Sequence, residues 1–235
     1  MKTIELSAEN STDRAWVDLS SYDNRSYSPG RSRFARALWY LVSLAIFESG
    51  WVPLARPKCW LLRLFGARVG RGLVIKPQVW IKYPWRLAVG DHCWIGQGVW
   101  IDNLADVHLG SHVCVSQQAY LCTGSHDYRK PSFDLITRPV KVGNGAWIGA
   151  RALILGDVAV GANAIVAAGS VVTKDVPAAT VVAGSPARTL ATRRDSSAAD
   201  RKAENIAQKR GGVLGDDNCG HAAGVPDQGA EIRKQ

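Results

Sequence analysis

Hydrophobic positions recur with a period of six residues over a long part of the chain. From residue 142 to residue 172 an aliphatic side chain occupies every sixth position. A small or β-branched residue stands two places before each of these anchors, and glycine often follows directly. The anchors are Val142, Ile148, Ile154, Val160, Val166 and Val172. An α-helix would repeat every 3.6 residues and a simple strand every two, so this period predicts short strands joined by tight corners.

The same period holds in three shorter phases earlier in the chain. These anchors are Val69, Ile75 and Ile81, then Val89, Ile95 and Ile101, then Leu109, Val115 and Leu121. Three hexads close one triangular coil of about 18 residues, and stacked coils bury a continuous apolar column. Glycine, Asn or Asp beside an anchor is expected to supply the left-handed backbone of the corner. The pattern therefore predicts a mainly β fold, a parallel β-helix over residues 67–190.

The segment before the repeat differs in composition. Residues 1–30 are polar and are expected to form an extended arm. Residues 31–66 are predicted to form a basic amphipathic helical segment, with a helix from Ser32 to Phe47 and later breaks at Pro53 and Pro57.

The tail, residues 191–235, carries eight basic and seven acidic residues and only scattered aliphatic ones. It cannot bury enough apolar surface to offset its ordering entropy, so we expect it to be disordered. The five cysteines are odd in number and form no CxxC motif, which gives no support to a disulfide framework or a zinc knuckle. The first 14 residues lack the apolar core of a signal peptide. We therefore expect a cytoplasmic protein with reduced thiols and no metal.

Positive charge is concentrated near the N-terminus. The formal net charge is +9, and residues 31–72 hold eight basic residues against one acid, Glu48. Such a segment can meet nucleic acid, an anionic membrane or a phosphorylated substrate. Its apolar run, Ala37 to Phe47, is about half of the roughly 20 residues that a spanning helix needs. Because arginine is mixed with tryptophan and tyrosine, we expect peripheral membrane contact rather than nucleic acid binding. Capping of the open end of the β-helix is the alternative role of this segment.

The register of the repeat breaks between Leu121 and Val142. These anchors are 21 residues apart, which is not a multiple of six, so a loop over residues 122–139 leaves the solenoid. Loops that project from a rigid solenoid often carry function. Of the five histidines only His126 lies in this loop; the others are His92, His108 and His112 at outward hexad positions, and His221 in the tail. Histidine suits a general base because its ordinary pKa is near neutrality.

Three segments resemble a known family: GAWIGARALIL, VAAGSVVTKDVP and VVAGSPARTL. They are similar to segments of the hexapeptide-repeat acyltransferases, and most of all to the sugar and exopolysaccharide O-acetyltransferases of the colanic acid (WcaF) type. The resemblance covers residues 29–192. It implies a left-handed β-helix and a homotrimer with active sites between subunits. It also implies transfer of an acetyl group from acetyl-CoA to a hydroxyl of a sugar or an exopolysaccharide precursor, which can be lipid-linked.

The resemblance also implies roles for individual residues. TGSHD matches the catalytic-histidine segment and makes His126 the base, although related sequences often have TGH without the serine. The implied coenzyme-binding residues are Trp147, Ala150, Ala168, Thr173, Lys174 and Arg188. The two alanines would leave room for pantetheine, and Lys174 and Arg188 suit the phosphates of CoA.

The residues expected at the acceptor are Asp102, Asn103 and Asp127. Asp102 also occupies the corner position after Ile101, where an aspartate can serve a left-handed turn instead. Asp127 could alternatively orient the imidazole of His126.

Two other classes of protein are compatible with such a solenoid. A γ-type carbonic anhydrase needs three histidines around zinc. His108 and His112 are four residues apart, a spacing that does not place them on one face of a six-residue repeat. A non-catalytic scaffold would have no need of His126 together with both coenzyme motifs. The sequence therefore favours the acetyltransferase.

Overall fold

A computed structural model of the chain describes residues 16–193, which form a parallel β-solenoid with two helices at its N-terminal end. Each coil contributes one strand to each of three sheets, here called faces A, B and C. The predicted mainly β, left-handed parallel β-helix with a helical N-terminal segment is confirmed. The tail was expected to be disordered from residue 191, but Ala191 and Thr192 belong to the last strand, where they pair with Val181 and Thr180. Residues 194–235 lie outside the described part of the chain.

The strands follow one another around the solenoid in chain order. Face A consists of β1 (Arg68–Val69), β4 (Leu87–Val89), β7 (Val107–Leu109), β12 (Val140–Val142) and β15 (Ala159–Val160). Face B consists of β2 (Val74–Ile75), β5 (Trp94–Ile95), β8 (Cys114–Val115), β13 (Trp147–Ile148), β16 (Ile165–Val166), β18 (Thr180–Gly184) and β19 (Ala187–Thr192). Face C consists of β3 (Trp80–Ile81), β6 (Trp100–Asp102), β9 (Tyr120–Cys122), β14 (Leu153–Leu155) and β17 (Val171–Val172). The pairs between coils are parallel, whereas β18 and β19, which close the solenoid as a hairpin, pair antiparallel.

The period of six arises because two side chains of each hexad point into the solenoid. The anchors from Val142 to Val172 are at most 3% exposed, and so are the small residues two places before them. Three sheets converge on a narrow axis, so a large aliphatic residue on each face leaves room only for a smaller neighbour.

The corners correct one expectation from the sequence. The glycine directly after an anchor does not have a left-handed backbone; the third residue after the anchor does, as in Gly145 and Arg151. Gly149 instead allows the next coil to approach, because a Cβ atom there would lie 2.5 Å from the backbone nitrogen of Ala168. Asp102 is also absent from the described residues with positive φ, so a left-handed turn does not explain it.

The helical segment caps the first coil. Helix α1 (Arg33–Val42) begins at Ser32, whose hydroxyl accepts a hydrogen bond from the backbone N–H of Ala35. A π-helical turn (Ser43–Glu48) follows, and α2 (Ala55–Leu64) comes after it. Trp39 is buried and its indole N–H donates to the carbonyl oxygen of Ile81 at 2.8 Å.

Two details of this segment differ from the expectation. The α-helix ends at Val42 instead of Phe47, with a π-helical turn after it. Pro57 does not break α2, because it lies in the first turn, where a backbone N–H has no partner within the helix. None of the helices described between residues 16 and 193 has the length and apolar content that crossing a membrane requires.

The loop over residues 122–139 contains a β-hairpin. Its strands are β10 (Gly124–His126) and β11 (Leu135–Thr137), which pair antiparallel. The solenoid resumes directly behind it, since Val140 in β12 pairs with Val107 in β7. The hairpin therefore projects from the corner between faces C and A without disturbing the stacking of the coils.

Candidate active site

His126 lies at the end of β10, and its imidazole is held from within the hairpin. Its Nδ1 atom is 2.8 Å from the backbone carbonyl oxygen of Phe133. The ring of Phe133 stacks on the imidazole with centroids 4.4 Å apart and an interplanar angle of 6°. A carbonyl oxygen only accepts hydrogen bonds, so Nδ1 carries the proton in the neutral ring. Nε2 is then left with a free lone pair, the arrangement a general base needs.

The described part of the N-terminal arm, from residue 16 onward, packs against this hairpin, which the sequence did not predict. The backbone N–H of Asp18 donates to the carbonyl oxygen of Pro131 at 2.8 Å, and the ring of Tyr22 lies 5.8 Å from the imidazole of His126. Further along the arm, Tyr27 donates to the carbonyl oxygen of Leu104 at 2.8 Å. Burial raises the pKa of Tyr27 to about 12, so this hydroxyl remains a donor at neutral pH. The arm carries no periodic pattern that could have revealed these contacts.

Asp127 does not contact the imidazole. Its carboxylate accepts a hydrogen bond from the Nε of Arg129 at 3.0 Å, and this bond lowers the pKa of Asp127. Since the backbone carbonyl of Phe133 already holds Nδ1 of His126, the orienting role considered for Asp127 is filled by another residue. Its acceptor-binding role stays a prediction.

Asp102 and Asn103 are adjacent in sequence but point to different environments. One carboxylate oxygen of Asp102 lies 3.0 Å from the ammonium group of Lys82, and the other accepts from the hydroxyl of Tyr120 at 3.2 Å. Asn103 is fully buried, and its amide makes two hydrogen bonds with the backbone of Tyr83, at 2.6 and 2.9 Å. Acceptor binding by Asn103 would require these hydrogen bonds to break, so Asn103 is not part of the site proposed below.

The corner where face C passes into face A, here called the hairpin edge, comprises residues 82–86, 102–106, 122–139, 156–157 and 173–175. Along it the coils place Lys82 first, then Asp102, then the hairpin with His126, and finally Thr173 and Lys174. Polar and charged candidates on both sides of His126 therefore lie along one line parallel to the solenoid axis.

The corner where face B passes into face C, here called the slot edge, carries the two alanines. Ala150 and Ala168 stack on each other in successive coils, and the N–H of Gly169 donates to the carbonyl oxygen of Ala150 at 2.8 Å. Trp147 lies on face B just before this edge; its indole N–H donates to the hydroxyl of Ser116 at 2.8 Å. Within one chain, the width of face C therefore separates these residues from the hairpin edge.

Lys174 and Arg188 come together at the C-terminal end of the solenoid. Both line a cleft of about 280 Å³ between the last corner and the closing hairpin. Both side chains belong to exposed residues, so their charges can reach a ligand in solution. Thr173 precedes Lys174 and is exposed as well.

The other histidines do not assemble a metal site in the described part of the chain. His92 and His112 stack on each other at 5.4 Å at the corner between faces A and B, while His108 lies in the middle of β7. Among residues 16–193, no three His, Cys, Asp or Glu side chains are grouped in a way that could hold a metal ion. Within one chain, the described histidines therefore do not form a three-histidine group.

Comparisons with known proteins agree with this geometry. The family described as Bacterial transferase hexapeptide (six repeats) matches residues 139–174. Over 172 residues the chain is 37% identical to WcaF of Escherichia coli, named as a colanic acid biosynthesis acetyltransferase; the match covers 72% of this chain and 93% of that protein. The chain belongs to the hexapeptide-repeat acetyltransferases.

Two further relatives are consistent with this membership. The galactoside O-acetyltransferase of E. coli is 30% identical over 134 residues, which is 55% of this chain and 66% of that protein. A hexapeptide-repeat acetyltransferase of Vibrio cholerae, solved with acetyl coenzyme A, superposes with a TM-score of 0.62 at 28% identity, covering 69% of this chain and 88% of that one. The expectation of an acyl-CoA-dependent acetyltransferase is thus confirmed at the level of the family.

Proposed function

We propose that this acetyltransferase transfers an acetyl group from acetyl-CoA to a hydroxyl of a sugar or an exopolysaccharide precursor, with His126 as the general base. The observation that carries the proposal is the hydrogen bond between Nδ1 of His126 and the carbonyl of Phe133, which leaves Nε2 as a proton acceptor. The named activities of WcaF and of the galactoside O-acetyltransferase support an acceptor of the carbohydrate class.

The proposed reaction is a single acyl transfer. Nε2 of His126 takes the proton of the acceptor hydroxyl while that oxygen attacks the thioester carbonyl carbon. The carbon–sulfur bond then breaks, and Nε2–H returns the proton to the sulfur of CoA. A positioned base of this kind contributes about 10²- to 10⁴-fold to the rate.

The donor would lie towards the C-terminal coils. Lys174 and Arg188 share one cleft and would bind the phosphates of CoA by charge-assisted hydrogen bonds. The flat surface made by Ala150 and Ala168 would take the pantetheine arm, with Trp147 beside the thioester and Thr173 beside Lys174.

The acceptor would lie towards the N-terminal coils. A cleft of about 330 Å³ between α1 and face C is lined by Trp80, Trp100 and the Lys82–Asp102 ion pair, among other residues. A second cleft of about 460 Å³ extends from there to Tyr22, which contacts His126. Aromatic surfaces combined with a few polar groups suit a carbohydrate. Burial raises the pKa of Tyr120, so its hydroxyl keeps the proton that it donates to Asp102.

We also propose a homotrimer in which each site is shared between two chains. His126 and the two alanines lie on different edges of one solenoid, so a neighbouring chain would supply the slot that faces the hairpin. The donor is a cytoplasmic metabolite, and we place the enzyme in the cytoplasm, where it would meet free or lipid-linked precursors.

The first experiment measures transfer from acetyl-CoA to a panel of oligosaccharides by mass spectrometry. His126→Ala should lose two to four orders of magnitude in turnover while the Kd for acetyl-CoA stays within about twofold, since only the base is removed. His112→Ala, which changes an exposed histidine of the same solenoid, is the matched control. Near-normal transfer by His126→Ala would refute the role of His126.

A second experiment tests the shared site. Co-expression of His126→Ala with Ala168→Trp should restore part of the activity, because some hybrid sites combine an intact base from one chain with an intact slot from another. Absence of recovery in confirmed mixed oligomers would place the whole site in a single chain.

A further inference from the structure

An unusual concentration of exposed apolar side chains lies on the helical cap of the solenoid. Six of them, between 43% and 91% exposed, are Phe34, Leu38, Leu41, Trp51, Trp60 and Leu64. Large apolar side chains exposed singly are normal, but a group of them on one small element marks an interaction surface. We call these six residues, together with Arg31, Arg33 and Arg56, the cap surface.

The apolar residues of α1 form a stripe on the side that faces away from the core. Phe34, Leu38 and Leu41 follow the i, i+4, i+7 spacing of one helix face, while Trp39 is buried on the opposite face. Packing of α1 against the first coil therefore explains why the buried face carries Trp39, but it does not explain why the exposed face is apolar.

The second helix carries a matching stripe. Trp60 and Leu64 are one turn apart and exposed, whereas Leu62 is buried. Phe34 and Leu38 from α1 line the same cleft of about 360 Å³ as Leu64 from α2, so the two stripes meet. Arg31 lines this cleft too, which places a cation at the margin of the apolar groove.

The charge of the cap surface is of one sign. Arg31, Arg33 and Arg56 form no ion pair with any residue between 16 and 193. The one acid of the segment, Glu48, accepts a hydrogen bond from Ser43 and lines a different cleft. The exposed arginines of the cap surface, of which Arg31 lines the apolar groove, thus have no acidic partner among the described residues.

Lys58 does not contribute to the exposed positive charge of this segment, although the sequence suggested that it would. Its side chain is fully buried in α2, and its ammonium group donates to the carbonyl oxygen of Lys76 at 3.1 Å. The charge available to a partner therefore comes from arginines alone.

We propose that the cap surface docks on an anionic membrane. Arginines attract acidic headgroups, tryptophans favour the headgroup level, and the leucine and phenylalanine stripes can enter the acyl boundary. A second copy of the chain would set identical basic surfaces against each other, which costs energy. Nucleic acid would meet the arginines but leave the leucine stripe in water.

The test is co-sedimentation of the full chain with vesicles of phosphatidylcholine, with and without phosphatidylglycerol, at low and high salt. The wild type should bind only the anionic vesicles, and binding should weaken at high salt because the charges are screened. Arg33→Gln with Arg56→Gln should weaken partition about tenfold or more. Trp51→Ser with Trp60→Ser should weaken it to a similar extent.

Matched controls change the same residue types elsewhere. Lys141→Gln with Arg151→Gln removes two exposed charges far along the solenoid, and Trp94→Ser removes an exposed tryptophan of face B. These variants should bind vesicles like the wild type. Equal partition of cap and control variants, or no partition of the wild type, would overturn the proposal.

Two further measurements distinguish membrane docking from self-association and from a role in catalysis. If the cap surface instead contacts another copy, the Trp51→Ser with Trp60→Ser variant will change the oligomeric mass by light scattering, and that outcome would contradict membrane docking. Acetyl transfer to a lipid-free oligosaccharide should be unchanged in the cap variants, so membrane binding and catalysis are tested independently.

Discussion

The imidazole of His126 is clamped by Phe133, whose backbone carbonyl holds Nδ1 at 2.8 Å while its ring lies nearly parallel at 4.4 Å. One residue thus sets both the tautomer and the tilt of the candidate base. It does so across the turn of the hairpin, because β10 and β11 bring the two ends of the loop together.

Phe133→Ala separates these two contributions. The carbonyl is retained, so the tautomer is kept, but the ring that fixes the tilt is lost. We expect kcat to fall about tenfold, less than for His126→Ala, with the Kd for acetyl-CoA unchanged. Tyr128→Ala, which removes an exposed aromatic ring from the same hairpin, should have little effect. An effect as large as that of His126→Ala would show that the hairpin itself has collapsed.

Ala168→Leu tests the pantetheine slot. Ala168 is exposed above Ala150, so the fold can accommodate a larger side chain there, but that side chain would fill the surface proposed for the donor. The Kd for acetyl-CoA should rise at least tenfold with an unchanged circular dichroism spectrum. Ala178→Leu makes the same change at an exposed site on another corner and should bind the donor normally.

Lys174→Gln and Arg188→Gln test the phosphate contacts. Each should weaken acetyl-CoA binding about tenfold or more, since a charge-assisted hydrogen bond is lost. The titrations are then repeated with dephospho-CoA, which lacks the 3′-phosphate. The variant of the residue that binds this phosphate should bind dephospho-CoA as tightly as the wild type does. Lys141→Gln is the control, and identical affinities for all three variants would contradict the assignment.

Asp102→Asn tests the acceptor side. The change keeps the shape but removes the charge that pairs with Lys82 at 3.0 Å. We expect KM for the acceptor to rise roughly tenfold, with little change in the Kd for acetyl-CoA. Asp106→Asn alters a more exposed carboxylate on the same edge and is the matched control. Equal effects of both variants on acceptor KM would argue against a specific role for Asp102.

Lys58→Met tests the buried ammonium group of the cap. Desolvation lowers the pKa of Lys58 below its ordinary value of 10.5. At pH values between the pKa of Lys58 in the folded chain and its pKa in the unfolded chain, the unfolded chain binds more protons. The free energy of unfolding of the wild type therefore rises with pH in that window. Methionine should therefore raise Tm at pH 7 by about 2–4 °C, and the gain should shrink near pH 10. A lower Tm at pH 7 would mean that the bond to Lys76 outweighs the desolvation.

The period of six was sufficient to predict the solenoid, because burial of two side chains per hexad is a direct consequence of the coil geometry. The sequence-based interpretation of the corners was wrong because glycine serves two different purposes there. Gly145 has a left-handed backbone, whereas Gly149 allows the next coil to come close. The burial of Lys58 could have been predicted from the sequence, because Lys58 lies on the same helix face as Ala55 and Leu62.

The candidate site was less predictable than the fold. The break in the repeat located His126, but the clamp by Phe133 depends on the pairing of two short strands without an alternating pattern. The inward turn of Asn103 depends on the backbone of Tyr83 one coil below, and Tyr22 reaches the site from an arm far away in sequence. Such contacts between distant segments leave no trace in local periodicity.

The pairing of Val107 with Val140 means that the hairpin with His126 is an insertion that the stacking of the coils does not depend on. The segment from Gly124 to Thr137 can lengthen, shorten or be replaced without shifting the register of the coils, whereas Thr123 is buried and bonded to the neighbouring coil. Relatives that keep a histidine at the end of the first hairpin strand could therefore exchange this segment while the coils and the proposed donor end stay unchanged. For protein engineering, this makes the hairpin a cassette that could be transplanted between relatives.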